Sequence, residues 1–190
     1  MRVLEVGAGL GHLGDYFEHL GFEVTSTDAR PENVQHMHER GRRSFVLDLD
    51  ADEFPAAGEF DLVLAFGVLY HLQNPQRFLQ ACGASASVLL LETVVSDSET
   101  AVAPIVAERQ RVDQAMEGYG SRPSASWIDA TCRAAGFETV HDISNPAGNW
   151  KTGKFDWEPR GEGAWRRDGY NFRKMWVCEK AARPSANRPT

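Results

Sequence analysis

The chain has 190 residues, a formal net charge of −7, 42% hydrophobic and 25% charged residues, which suits one globular domain and excludes nucleic-acid recognition through a broad basic face. Its three cysteines, Cys82, Cys132 and Cys178, are far apart and lack CxxC spacing, which excludes a disulfide framework or a zinc site and suits a reducing compartment. No apolar run approaches the roughly 20 residues that span a bilayer, and residue 1 leads straight into a strand pattern without a signal segment, so a cytoplasmic protein without membrane contact is expected.

Apolar runs and amphipathic stretches alternate along the first two-thirds. Residues 2–6 read as a strand ending in glycines. A helix is predicted over 12–20, with Leu13, Phe17 and Leu20 on one face and Gly21 ending it. A strand over 22–27 is closed by Asp28. Pro31 opens a helix to about residue 40, and strands follow over 43–47 and 60–66. Asn74-Pro75 reads as a cap and first turn of a helix to about residue 82, followed by a strand over 88–91. Strand–helix alternation of this kind builds a parallel sheet covered on both faces.

The last third departs from that rhythm. An insertion over 97–123 carries a predicted helical stretch at 106–116. Ser124 caps a helix to about residue 135, stopped by Gly136, and strands are expected over 137–143 and 174–179. Between them, 144–173 forms a second insertion holding Trp150, Trp157, Trp165 and Tyr170, long enough to suggest a functional segment. One domain is expected over 1–180, with 181–190 a loose tail.

A strand that ends in glycines and turns into a helix offers close backbone approach and free N–H groups to a nucleotide-like ligand. The glycines fit two cofactors. Gly9-Leu10-Gly11-His12-Leu13-Gly14 satisfies the dinucleotide pattern, which leaves an NAD(P)-dependent oxidoreductase as an alternative. Asp28, placed to accept from ribose hydroxyls, serves either reading. Asp48-Leu49-Asp50 after the third strand favours the other one, because an acid there accepts from an adenine amino group.

The stretch Val3-Leu4-Glu5-Val6-Gly7-Ala8-Gly9-Leu10-Gly11 resembles motif I of class I S-adenosylmethionine-dependent methyltransferases. Phe60-Asp61-Leu62-Val63-Leu64-Ala65-Phe66-Gly67-Val68-Leu69-Tyr70-His71-Leu72 with Asn74-Pro75 is similar to the fourth strand and loop of small-molecule members, and Ala135-Gly136-Phe137 precedes the sixth strand as in that family. The resemblance covers about residues 1–143 and resumes at the last strand. It implies an α/β, Rossmann-like, doubly wound seven-stranded sheet with the last strand antiparallel. It further implies that S-adenosylmethionine is held by Glu5, Gly7, Gly9 and Gly11 at its methionine part. Asp28 and Ala29 would hold the ribose, Asp48 and Leu49 the adenine, and Ala65 and Phe66 would lie near the sulfonium. The helices that usually precede the first strand are not found here, so a minimal enzyme, a fragment, a homodimer or a non-catalytic subunit covered by a partner chain are all expectations to weigh.

Methyl transfer needs alignment, and a base when the acceptor is a hydroxyl. His71, at the carboxyl edge of the sheet where ligands bind in such folds, is the candidate base for a small-molecule or sugar-like acceptor. Tyr70, Glu92, Trp150 and Trp157 are candidate acceptor contacts. His71, Glu92 and Asp97 follow no metal-ligand spacing, and no metal is expected. His36 and His38, two apart on a helix, face different directions. His12 reads as a helix-start residue, and His19 and His141 as structural or surface residues.

Overall fold

Short strands rich in Val and Leu on both faces are stable only when both faces of their sheet are covered. A computed structural model, which describes residues 1–56, 59–108, 115–144 and 173–181, shows the arrangement. The strands are β1 (Arg2–Val6), β2 (Glu23–Asp28), β3 (Ser44–Val46), β4 (Leu62–Phe66), β5 (Val88–Val94), β6 (Ile105–Ala107), β7 (Tyr119–Ser121), β8 (Thr139–Asp142) and β9 (Arg173–Glu179). The helices are α1 (His12–His19), α2 (Pro31–Glu39), α3 (Pro75–Ser85) and α4 (Ala125–Ala134). Seven strands form one sheet in the order β3-β2-β1-β4-β5-β9-β8, and β6 pairs with β7 in a separate ribbon. The first five are parallel, and β9 runs antiparallel to both β5 and β8.

The pleat sorts the core. Leu4, Val6, Val63, Ala65, Leu89 and Leu91 turn to one face, where they meet Phe78, Cys82, Ile128, Cys132 and Phe137. Val3, Leu62 and Leu64 turn to the other, against Leu13, Phe17 and Phe22. Trp176, fully buried in β9, donates its indole N–H to Asp129 of α4 at 2.7 Å. All three cysteines are buried free thiols. No helix among the described residues is long and apolar enough to cross a membrane.

Several local expectations are corrected. Leu20 is 54% exposed rather than part of the buried face, because α1 ends at His19. Asn74 makes no side-chain cap hydrogen bond; the approach to the helix is held instead by Asp50, whose carboxylate accepts from Gln73 N at 2.9 Å and Asn74 N at 2.8 Å. The helix expected at 106–116 does not begin there. Ile105–Ala107 is a strand whose partner, Tyr119–Ser121, lies twelve or more residues on, beyond the reach of helical periodicity. Ser124 does cap α4, accepting from Trp127 N at 3.2 Å. Trp150, Trp157, Trp165 and Tyr170 lie outside the described residues.

The first helix approaches the sheet closely at Gly14, where a Cβ would run into Arg42 Nη2 and Glu5 Oε2 and lie 3.0 Å from Ser26 Oγ. Gly14→Ala is expected to destabilise the fold by about 1–3 kcal/mol through overpacking, read as a lower urea midpoint at unchanged slope.

Candidate functional site

The chain leaves β1 toward β2 and leaves β4 toward β5, in opposite directions along the sheet. Such a switch point opens a crevice beyond the carboxyl ends of the two strands. Here it is a cleft of about 250 Å³. One wall carries Gly7, Gly9, Asp28, Ala29, Asp48 and Leu49; the other carries Gly67, Val68, Tyr70 and His71, with Met116 at its rim.

The first wall is built by a turn that only glycine adopts easily. Gly7 and Gly9 have φ of 62° and 56°, left-handed conformations that cost other residues. A Cβ at Gly7 would strike Val68, whereas one at Gly9 would meet nothing within 4 Å, so the backbone there is open to a ligand. Gly9 N donates to Asp28 Oδ2 at 2.8 Å. Asp28 Oδ1 accepts from Arg30 N at 2.9 Å and Asn33 Nδ2 at 3.0 Å. These bonds lock a buried carboxylate at the mouth of the glycine turn. Beside it, Asp48 Oδ1 accepts from Asp50 N at 2.9 Å, and Leu49 is buried against the core.

Glu5 lies behind this wall rather than in it. Its carboxylate accepts from Gly14 N at 3.0 Å and Ser26 Oγ at 2.6 Å, and Arg42 Nη2 donates to the same Ser26 Oγ at 3.0 Å. Arg42 and Arg40 both reach Asp15 of α1. Gly11 also does not line the cleft; a Cβ there would crowd Met37 Sδ at 2.9 Å.

The second wall is a polar network. The 3₁₀ turn Leu69–His71 follows β4 and places the Tyr70 and His71 rings 4.0 Å apart. His71 Nδ1 lies 2.8 Å from Glu108 Oε2. Glu108 has a fully buried side chain and also accepts from Ala115 N at 2.9 Å and Arg122 Nη1 at 3.1 Å. Burial alone would raise its carboxyl, but the His71 and Ala115 hydrogen bonds and the His71 and Arg122 charges hold it below the ordinary value. Next to the Tyr70 ring, Arg173 Nη1 grips both oxygens of Glu92 at 2.6 and 2.8 Å, and Nη2 donates to the Tyr70 hydroxyl at 3.2 Å. Burial raises the Tyr70 phenol, and Arg173 draws it partly back.

The residues singled out in the sequence are thus divided. Gly7, Gly9, Asp28, Ala29, Asp48, Leu49, Tyr70 and His71 come together around one cleft. Glu5, Gly11, Ala65, Phe66 and Glu92 do not line it. Ala65 is fully buried in the core beneath, and at the end of β4 the lining passes to Gly67 and Val68. Trp150 and Trp157 lie outside the described residues. Sequence reasoning missed Glu108, Arg122 and Arg173. Their pairing partners stand 14 to 103 positions away, and no spacing rule joins them. Among the described residues, no group of three or more His, Cys, Asp or Glu side chains is placed to hold a metal ion.

A family described as a methyltransferase domain matches residues 1–142. The ubiquinone biosynthesis O-methyltransferase of a Caulobacter species is 35% identical over 88 residues, which are 43% of this chain and 35% of that protein. The match therefore spans about a third of the relative's length. The N-terminal domain of EvdMO1, solved in the presence of SAH and D-fucose, aligns with 96% of this chain and 76% of its own at 18% identity and a TM-score of 0.73. An S-adenosylmethionine dependent methyltransferase from Mesorhizobium loti aligns over 94% and 90% of the two chains at 13% identity, with a TM-score of 0.65. These two likenesses are likenesses of fold.

Glu5 carries a measurable consequence. Burial, the largest influence, pushes its carboxyl above the ordinary value, against the Ser26 and Gly14 hydrogen bonds and the Arg42 charge. The folded chain thus holds this proton more tightly than the unfolded chain. Stability from this group is fully present below the ordinary glutamate value of about 4.3 and is lost as pH rises through the elevated folded value. Glu5→Gln lacks the titration. The unfolding free energy of wild type minus that of Glu5→Gln is expected to fall with rising pH across this window, by about 1.4 kcal/mol per unit of elevation, in urea titrations at stepped pH. A difference that rises with pH contradicts the assignment.

Proposed function

The chain belongs to the methyltransferase domain family, and on that premise we propose that it moves a methyl group from S-adenosylmethionine to a hydroxyl of a small or sugar-like molecule, with His71 taking the hydroxyl proton. The observation that carries this reading is one cleft whose two walls hold the glycine turn with Asp28 and, facing it, His71.

The residues present fit the cofactor. The backbone at Gly9 has open space where a side chain would otherwise stand, which suits close approach by its methionine part. Asp28, with one acceptor site on Oδ2 beyond its bond to Gly9 N, suits a ribose diol. Asp48 and Leu49 suit the polar edge and the face of an adenine ring. When bound, the cofactor supplies an activated methyl group, so the remaining work is alignment and proton handling. His71 Nδ1 is engaged by Glu108, which leaves Nε2 to receive the acceptor's proton. Tyr70, held by Arg173 at its hydroxyl, offers a rigid aromatic face beside it, suited to a ring or sugar face. The charges behind the His71 wall are paired, Arg173 with Glu92 and Arg122 with Glu108, which favours a neutral acceptor over a strongly charged one on that side. The O-methyltransferase relatives and the D-fucose present with the EvdMO1 domain support a hydroxyl acceptor.

Calorimetry is expected to show binding of S-adenosylhomocysteine and not of NAD(H), and Asp28→Ala to weaken that binding about 10–100-fold, the scale of a lost charged hydrogen bond. Binding of the nicotinamide cofactor alone would overturn the assignment. With labelled S-adenosylmethionine and a panel of catechols and deoxysugars, His71→Ala is expected to lower kcat about 10²–10⁴-fold with homocysteine-cofactor affinity retained. Near-normal turnover in that variant removes His71 as the base.

A further inference from the structure

We propose that Glu108, carried by the β6–β7 ribbon, is the positioning residue that fixes the His71 ring with its proton on Nδ1 and its Nε2 lone pair toward the cleft. This deepens the reading of His71 as a base and rests on it for its meaning, although not for its test.

Three observations support the assignment. First, Glu108 receives donors from every side. Oε2 accepts from Ala115 N at 2.9 Å and sits 2.8 Å from His71 Nδ1, while Oε1 accepts from Arg122 Nη1 at 3.1 Å. An ionised carboxylate only accepts, so the short contact to His71 requires the hydrogen on Nδ1. Second, the carboxylate has no freedom to turn away. Its side chain is fully buried, and Gly120 packs so closely on it that a Cβ there would collide with both Tyr70 O and Glu108 Oε1. Third, the ribbon is anchored to the turn that bears the histidine. Arg122 Nη1 donates to Tyr70 O at 3.0 Å, and Ser121 Oγ donates to Leu69 O at 3.4 Å. The same ribbon that brings the acid thus binds the carbonyls of the two residues just before His71, so ring and carboxylate keep their register. A carboxylate in this position selects the tautomer and stabilises the imidazolium that forms when the ring accepts a proton.

The test uses the full chain labelled with ¹⁵N in its imidazole rings and long-range nitrogen–proton NMR across a pH titration. His71 is assigned among the six histidines by its loss in His71→Gln. In wild type the neutral His71 ring is expected to carry its hydrogen on Nδ1. In Glu108→Gln the amide must turn its NH₂ either toward Arg122 or toward His71 and Ala115 N, and opposing the cationic Arg122 donor costs more than giving up the neutral Ala115 N–H. The amide group therefore faces the ring, and the hydrogen is expected to move to Nε2, while Glu108→Asp keeps it on Nδ1.

A wild-type ring protonated on Nε2 overturns the proposal without any variant. So does an unchanged tautomer in a Glu108→Gln protein that keeps its circular dichroism and its unfolding midpoint. Should Glu108→Gln not fold, the wild-type tautomer and Glu108→Asp decide the matter. Full methyl transfer by His71→Ala would instead overturn the base reading and leave the tautomer result standing, so the two failures are distinguishable.

Discussion

The buried carboxylate of Glu5 is the constraint on which the first half of the molecule depends. A carboxylate taken out of water must find donors or lose its charge. Glu5 finds Gly14 N at the start of α1 and Ser26 Oγ on β2, and Arg42 completes the cluster from beyond α2. Helix α1, strand β2 and the chain's second crossover are thereby tied to the end of β1. The glycine turn lies between the two tied points, so its path is dictated from behind. Glu5 therefore shapes the cleft without lining it.

Across the sheet, a second buried carboxylate plays the corresponding part. Glu108 gathers His71, Ala115 and Arg122, and the pair Glu92–Arg173 steadies Tyr70 from the other side. Both walls follow one rule. A ligand-facing group stands on a turn at a strand end, and a fully satisfied buried acid behind it removes the turn's freedom.

The two walls differ in how much of them the sequence revealed. The glycine-turn wall is local: Gly7, Gly9, Asp28 and Asp48 follow short strands at predictable places, because each crossover returns the chain to the same edge of the sheet. His71 was visible for the same reason. The ribbon was not. Ile105–Ala107 reads equally as helix or strand, and the deciding partner, Tyr119–Ser121, shares no periodicity with it. Asp50 was similarly obscured, since its carboxylate holds the two residues that lead into a helix, 23 and 24 residues later, where the local pattern pointed to Asn74 alone.

The sequence by itself determined the alternation of strand and helix, the continuous apolar runs of β1 and β4 that are buried on both faces, and the edge of the sheet at which a nucleotide-like ligand would sit. These depend on period, glycine and chain direction, all of which are local or follow from chirality. Only the tertiary structure decided which acids line the cleft and which brace it, moving Glu5 behind the wall, giving Glu92 to Arg173 and bringing Glu108 to His71. Those assignments depend on which donor is near enough to satisfy a desolvated charge, and that distance is set by packing between segments far apart in the chain.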